Sequence, residues 1–251
     1  MLNLDKFKKN SYSANGEDGI LQYLISNIPH NSPLYVVEFG AADGIESSNT
    51  LSFIKSGAKA ILIEGNRSKY ELLEKNMQKY PEVSCVNCYV AIFKDETRNT
   101  LENILISYGW PKDFDILSID IDSNDALIFA TMKDYFPKIV VIELNPYYLP
   151  GVKFFSTSKI SGNSFSTILE IFLNKNYTLV AHTGSNLIFV RNEFFKFTGL
   201  DEFVQIYPEI LFDTSFIQVD REVPETISRW LNRASARYLR LKAMLHFKHE
   251  K

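Results

Sequence analysis

Cysteine is nearly absent, with Cys85 and Cys88 the only two in 251 residues, and this excludes a disulfide-stapled scaffold. No apolar run approaches the roughly 18 residues that a membrane-spanning helix needs. The opening Met1-Leu2-Asn3-Leu4-Asp5-Lys6 lacks the basic-then-apolar layout of a secretory signal, so a cytoplasmic location is expected. Internal repeats and low-complexity linkers are also missing, which argues against a solenoid or a string of modules. Positive charge is short overall: the net charge of −3 offers no general attraction to nucleic acid.

What is present suits one α/β body. Hydrophobic residues make up 45% of the chain and charged residues 23%, enough apolar material for a large core. Basic charge gathers in one place, where Arg229, Arg233, Arg237, Arg240, Lys242, Lys248 and Lys251 stand against Glu250 alone. That tail reads as a basic helix over 223–249 whose expected use is a solvated face, with a contact between copies of the chain, a clamp on an anionic acceptor such as a nucleotide diphosphate sugar, and attachment to a membrane surface as the alternatives. Cys85 and Cys88 have a Cys-x-x-Cys spacing, yet the surrounding residues read as a strand. Residues i and i+3 of a strand point to opposite faces, which excludes a shared metal or a redox pair.

Short apolar runs alternate with helical stretches, the pattern of a mostly parallel sheet. The runs are Leu34 to Phe39, Ala60 to Glu64, Ser84 to Tyr89, Ile116 to Ile121 and Ile139 to Leu144. Helices are predicted near 48–57, 68–79, 97–107 and 124–134, followed by one from Ser164 to Leu173. A hairpin then runs Tyr177 to His182 and Leu187 to Arg191 about Thr183-Gly184-Ser185-Asn186. The expected organisation is a lead-in helical segment over 1–33, with its helix from Ser13 to Asn27, a core over 34–192, and an extension over 193–251.

Ligands of a doubly wound sheet gather at the carboxyl ends of its strands. The first strand ends in Glu38-Phe39-Gly40-Ala41-Ala42-Asp43-Gly44, and small residues there let a ligand approach the backbone. The second ends in Glu64-Gly65-Asn66, which puts a carboxylate where a ribose diol can donate two hydrogen bonds. The glycines do not follow the Gly-x-Gly-x-x-Gly of dinucleotide folds, and Asp43 would repel a pyrophosphate. A cationic or zwitterionic nucleoside suits the site better.

The fourth predicted strand ends in Asp120-Ile121-Asp122 and the fifth in Glu143-Leu144-Asn145. Strand alternation puts Asp120 and Asp122 on one face, and Glu143 and Asn145 likewise. Converging carboxylates repel unless a cation or proton joins them, and an oxygen-rich set favours a hard divalent ion. Asp120, Glu143 and Asn145 are thus candidate metal ligands for Mg, Mn or Fe. Asp122 and His182 are candidate bases, and Asp120 is a candidate catalytic group. An unassisted aspartate is about 12 pKa units short of a hydroxyl, on the order of 16 kcal/mol, so concerted transfer, an imidazole or a metal is expected to help.

Together these motifs resemble class I S-adenosylmethionine-dependent methyltransferases. Asn15-Gly16-Glu17-Asp18-Gly19-Ile20, Ser48-Asn49-Thr50 and Ser118-Ile119-Asp120-Ile121-Asp122 more narrowly resemble FkbM-like sugar O-methyltransferases, with the likeness spanning about residues 11–192. Relatives often carry Asp-Gly-Asn where this chain has Asp122-Ser123-Asn124. The resemblance implies a Rossmann-like, seven-stranded, mostly parallel sheet of order 3-2-1-4-5-7-6, with helices on both faces. It also implies S-adenosylmethionine as cofactor, with Gly40, Ala42 and Asp43 around the methionine and Glu64 on the ribose. Asn66 would lie beside the adenosine and Ala91 and Ile92 beside the adenine, with Glu38, Asn49 and Gly65 completing the donor site. The implied activity is methyl transfer to a hydroxyl of a sugar, a nucleotide-sugar or a glycan precursor. Two rival readings come with it. Asn145-Pro146-Tyr147-Tyr148 resembles the loop of methyltransferases acting on amino groups, and a binding protein without catalysis would keep only the donor residues.

Overall fold

A computed structural model describes residues 3–96, 98–157 and 159–213. Its sheet contains β1 (Tyr35–Phe39), β2 (Lys59–Glu64) and β3 (Val83–Asn87). A separate ribbon of two-residue strands follows, β4 (Tyr89–Val90) and β5 (Arg98–Asn99). The sheet resumes with β6 (Ile116–Ile119), β7 (Ile139–Glu143), β8 (Tyr177–Thr183) and β9 (Asn186–Arg191). The strand order is β3-β2-β1-β6-β7-β9-β8. With the ribbon set aside, this is the expected 3-2-1-4-5-7-6, a Rossmann-like sheet. Every neighbour pair is parallel except those made by β9.

Seven helices accompany the strands among the described residues: α1 (Glu17–Asn27), α2 (Leu51–Lys55), α3 (Arg67–Met77), α4 (Leu101–Ser107), α5 (Asp125–Thr131), α6 (Phe165–Asn174) and α7 (Phe203–Ile206). Strand alternation divides the core in two. Val37, Phe39, Ile61 and Ile63 pack on one face with α4, α5 and α6 side chains, and Val36, Ala60 and Leu62 on the other with those of α1, α2 and α3. Cys85 joins one cluster and Cys88 the other, so the two thiols lie on opposite faces.

Ile20, Leu21 and Leu24 of α1 are fully buried, and Phe195, Phe203 and Val204 pack beyond β9. Positions 34 and 192 therefore bound the sheet but not the packed body. No helix among the described residues is long and apolar enough to cross a membrane. The basic helix expected over 223–249, and any contact between copies through it, lie outside the described residues.

Helix α2 begins at Leu51, later than the expected start near residue 48. Glu38 accounts for the difference: it accepts hydrogen bonds from the Ser48 and Thr50 hydroxyls at 2.7 and 2.6 Å and from the Asn49 N–H at 2.9 Å. Ser48 in turn accepts the Leu51 N–H at 3.1 Å, ending the irregular stretch with a side-chain cap.

Candidate active site

A cavity of about 800 Å³ opens at the carboxyl ends of β1, β2 and β6, where a doubly wound sheet places its ligands. Its floor is the turn after β1. The Gly40 and Ala41 N–H groups both donate to the Ile63 carbonyl, and Gly40 has φ +79°. A Cβ on Gly40 would lie 1.5 Å from the Asp120 carbonyl oxygen, so only glycine lets β1 and β6 end this close together.

Two buried carboxylates brace the donor side. Register places Glu38 beside Ser118, and Asn49 links the two by donating its backbone N–H to Glu38 at 2.9 Å and its Nδ2–H to Ser118 Oγ at 3.0 Å. Burial pushes the Glu38 carboxyl above its ordinary pKa, against the opposing hydrogen bonds from Thr50 and Ser48. Asn49 Oδ1 is enclosed and has no protein partner at the cavity wall. An orphaned acceptor next to a carboxylate fits an ammonium group, as in the methionine part of the donor. Glu64 accepts the Ala42 N–H at 2.9 Å and the Asn66 N–H at 2.6 Å, joining the first two crossovers. Each of its oxygens retains a second lone pair, the complement of a ribose diol.

Of the candidate donor residues, Gly40, Ala42, Gly65, Ala91 and Ile92 line this cavity, together with Glu38, Asn49 and Glu64. Asp43 and Asn66 do not. Asp43 accepts the N–H groups of Ile45 and Glu46 at 2.9 and 3.0 Å, which fixes its own turn. Asn66 caps α3 by accepting the Lys69 N–H at 3.1 Å. Both serve the frame because a short polar side chain at a turn bonds its own backbone first.

Tyr89, Phe93, Lys69 and Arg98 line the cavity without having been expected there. A Cβ on Gly65 would lie 2.3 Å from the Tyr89 ring, so the glycine provides the surface on which that ring rests. The wall is carried by the ribbon β4–β5, which pairs Tyr89 with Arg98 and Val90 with Asn99. Two-residue strands leave no periodicity to read; the signal available was the run of apolar residues continuing past β3.

Asp120 and Asp122 also line the cavity, and one ligand oxygen each from these two and from Glu143 behind them lie within 4.8 Å of one another. The convergence was expected from strand alternation, but its cause differs. β6 ends at Ile119, and Asp122 adopts φ +56°, outside any strand. Buried Asp125 folds this turn by accepting the Ile121 and Ser123 N–H groups, both at 2.9 Å. Burial, then the neighbouring carboxylates, push Asp120 and Glu143 above the usual carboxylate range, Glu143 further. The raised pair is able to share one proton, which relieves the repulsion between them.

The same three carboxylates fit a hard divalent cation in place of the shared proton. Asp122, not Asn145, is the third oxygen donor of the cluster. Asn145 donates Nδ2–H to the Ser161 carbonyl at 2.9 Å and accepts the Tyr147 N–H at 3.0 Å, so its amide organises the loop over 145–163. Tyr148 stacks on Phe154 within that loop, whereas Tyr147 and Phe155 are exposed.

His182 is a correction. The expectation put it at the acidic cluster as a base, but its ring is buried beside Phe165 and Phe212. Nδ1 accepts the Asp213 N–H at 2.8 Å, which leaves Nε2 as the protonated nitrogen, 2.9 Å from the Gly184 carbonyl. Burial pushes its pKa down to about 4. Its place at the top of β8 does not bring it to the acids, because β9 lies between β8 and β7 and keeps β8 at the sheet edge.

No protein-family model matches the chain, and no curated protein matches it. Solved structures similar to it include the citrinin polyketide synthase CMeT domain, at 14% identity over 70% of this chain and 51% of that one, TM-score 0.47. Another is the N-terminal domain of EvdMO1 with SAH bound, at 11% identity over 71% and 80%, TM-score 0.44. A third is monomeric WbdD, at 14% identity over 64% of this chain and 36% of that one, TM-score 0.40. The chain thus spans about half of the first and about a third of the last. The fold assignment rests on the strand order and register.

Proposed function

We propose that the chain is an S-adenosylmethionine-dependent O-methyltransferase whose acceptor is a sugar hydroxyl. The observation that carries this reading is a single cavity with Glu64 at one end and Asp120 and Asp122 at the other. Its volume of about 800 Å³ is ample for a nucleoside donor and part of an acceptor together. Among the charged lining residues the acids Glu38, Glu46, Glu64, Asp120 and Asp122 outnumber Lys69 and Arg98, which favours a sulfonium over a pyrophosphate. Exposed Tyr147 and Phe155, on the loop that adjoins the acids, offer faces on which the C–H side of a sugar ring can stack.

In the mechanism, Asn49 Oδ1 and Glu38 hold the donor's ammonium end, Glu64 holds the ribose, and Tyr89 and Ile92 cover the base. Asp120, steadied by the proton it shares with Glu143, orients the acceptor hydroxyl. That oxygen attacks the methyl carbon in line with the departing sulfur; the C–O bond forms as the C–S bond breaks. The sulfonium becomes a neutral thioether, and the hydroxyl proton passes to Asp122. Proton transfer late in the displacement meets a far more acidic oxonium-like oxygen, which closes most of the gap between a carboxylate and a free hydroxyl. A divalent ion, when bound, would be held by Asp120, Asp122 and Glu143 and would acidify and orient the hydroxyl. The rest of the barrier falls through positioning and exclusion of water.

Calorimetric titration with S-adenosylmethionine, S-adenosylhomocysteine and NADH tests the donor. Binding of the first two and not the third is expected; NADH binding alone would overturn the reading. A panel of sugar nucleotides and simple glycosides, assayed with and without chelator, tests the acceptor and any metal requirement. Mass and NMR analysis of the product separates oxygen from nitrogen methylation, and N-methyl product would refute the acceptor class.

A further inference from the structure

Three segments meet at a buried side chain that the proposed chemistry leaves unused. Asn163, two residues before α6, is 1% exposed. It donates Nδ2–H to the Ser123 carbonyl at 3.1 Å and accepts the Ser156 N–H at Oδ1 at 3.2 Å. Its backbone carbonyl accepts the Asn145 N–H at 2.8 Å. Ser123 follows Asp122, and Asn145 lies two residues beyond Glu143. One residue therefore connects the turn carrying Asp120 and Asp122 to the strand end carrying Glu143.

That turn needs a restraint. Asp122 is held in the left-handed region, which L-residues other than glycine, asparagine and aspartate rarely adopt. Asp125 braces it from within, through Ile121 and Ser123. From outside, Ser161 Oγ reaches Asp122 only at 3.5 Å, too long for a strong bond, which leaves the Asn163 amide as the firm link to the loop over 145–163. The chain arrives at Asn163 through Gly162, whose φ of +75° and missing Cβ let it pass against Asn145.

We infer that Asn163 is a positioning residue: its amide sets the separation between the Asp122 turn and the end of β7, and couples that separation to the loop bordering the acceptor side. The consequence for turnover rests on the methyl-transfer reading; the mechanical coupling does not. Only an amide supplies the donor for Ser123 and the acceptor for Ser156 at this length. Leucine has similar volume and supplies neither, and an ionised aspartate would turn a carboxylate oxygen toward the Ser123 carbonyl.

The test is hydrogen–deuterium exchange of the full chain, followed over 120–125, 143–149 and α1, for wild type, Asn163→Leu and Asn163→Asp. Each is also titrated with S-adenosylhomocysteine and assayed with the acceptor found by the panel. Asn163→Leu is expected to exchange at least about tenfold faster over both 120–125 and 143–149, with α1 unchanged. Asn163→Asp, which keeps the bond from Ser156, is the milder variant and is expected to accelerate 120–125 in particular. In both, kcat should fall at least about thirtyfold while donor KM and S-adenosylhomocysteine affinity stay within about threefold. Unchanged exchange over 120–125 in the folded variants, or unchanged kcat, overturns the inference. A wild type that fails to bind S-adenosylhomocysteine refutes methyl transfer, and the exchange data still decide the coupling.

Discussion

The carbonyl oxygen of Asp120 occupies the space beside Gly40 that a side chain would need, 1.5 Å from where a Cβ would stand. The donor turn and the acid turn are therefore in backbone contact, and neither can move without the other. Gly40→Ala must displace β1 from β6 and also holds alanine at φ +79°. A loss of more than about 2 kcal/mol in urea unfolding is expected, together with loss of S-adenosylhomocysteine binding by calorimetry. Full-affinity binding by a folded Gly40→Ala protein would show that the donor lies elsewhere.

Glu64 and Asp43 were equally plausible donor residues in the sequence, and their hydrogen bonds separate them. Glu64 joins two crossovers at the cavity wall, whereas Asp43 serves its own turn. Glu64→Gln directs an amide N–H at a backbone N–H and removes the charge. Donor affinity should weaken at least about tenfold, and stability should fall by about 1–3 kcal/mol. Asp43→Ala should leave affinity within about threefold and lower the melting temperature slightly. The two titrations, run side by side, would expose a reversed assignment.

His182 makes stability, not catalysis, depend on pH. Its folded pKa is lowered to about 4 by burial, with Lys8 lowering it further and Asp213 and Asp5 opposing. The unfolded chain therefore takes up the proton first, near pH 6.5. The contribution is fully present above about pH 6.5 and is lost as pH falls towards 4, to an extent of up to about 3 kcal/mol. His182→Gln should flatten the decline in urea midpoint across that window while leaving the pH–rate profile above pH 6.5 unchanged. A His182 variant with turnover abolished but donor affinity and melting intact would restore the imidazole as base.

The apolar runs flanked by helical stretches made a mostly parallel sheet legible, and its order came from the resemblance to class I methyltransferases. The positions of Glu38, Glu64 and Asp120 at strand ends were legible because each closes an apolar run. Other features lay beyond a linear reading. The ribbon carrying Tyr89 and Arg98 pairs too few residues to impose a period. Asp43 and Asn66 have the chemistry of ligands and the positions of caps, and only their hydrogen bonds decide between the two. His182 was misread because standing at the top of β8 does not bring it to the acids, with β9 lying between β8 and β7. The opposite facing of Cys85 and Cys88 needed only strand parity. Burial has pushed the Cys85 thiol up to about 11, so iodoacetamide should label it slowly at neutral pH in the folded chain.

On the proposed mechanism, in which Asp122 takes the hydroxyl proton, stability and activity oppose each other at this single position. Its left-handed backbone is a place where glycine is favoured, and its carboxylate adds repulsion to Asp120 and Glu143. Asp122→Gly should therefore be as stable as wild type or more stable, by up to about 1 kcal/mol in urea unfolding. Turnover should nonetheless fall about 100- to 10,000-fold, because the proton acceptor has gone. Donor affinity should hold, since Asp122 stands at the acceptor end. Asp122→Asn keeps the backbone preference and the shape but not the charge, and should be equally inactive. Asp122→Val, a β-branched residue forced to positive φ, should lose both stability and activity. Wild-type turnover in a well-folded Asp122→Gly protein would transfer the role of base to Asp120.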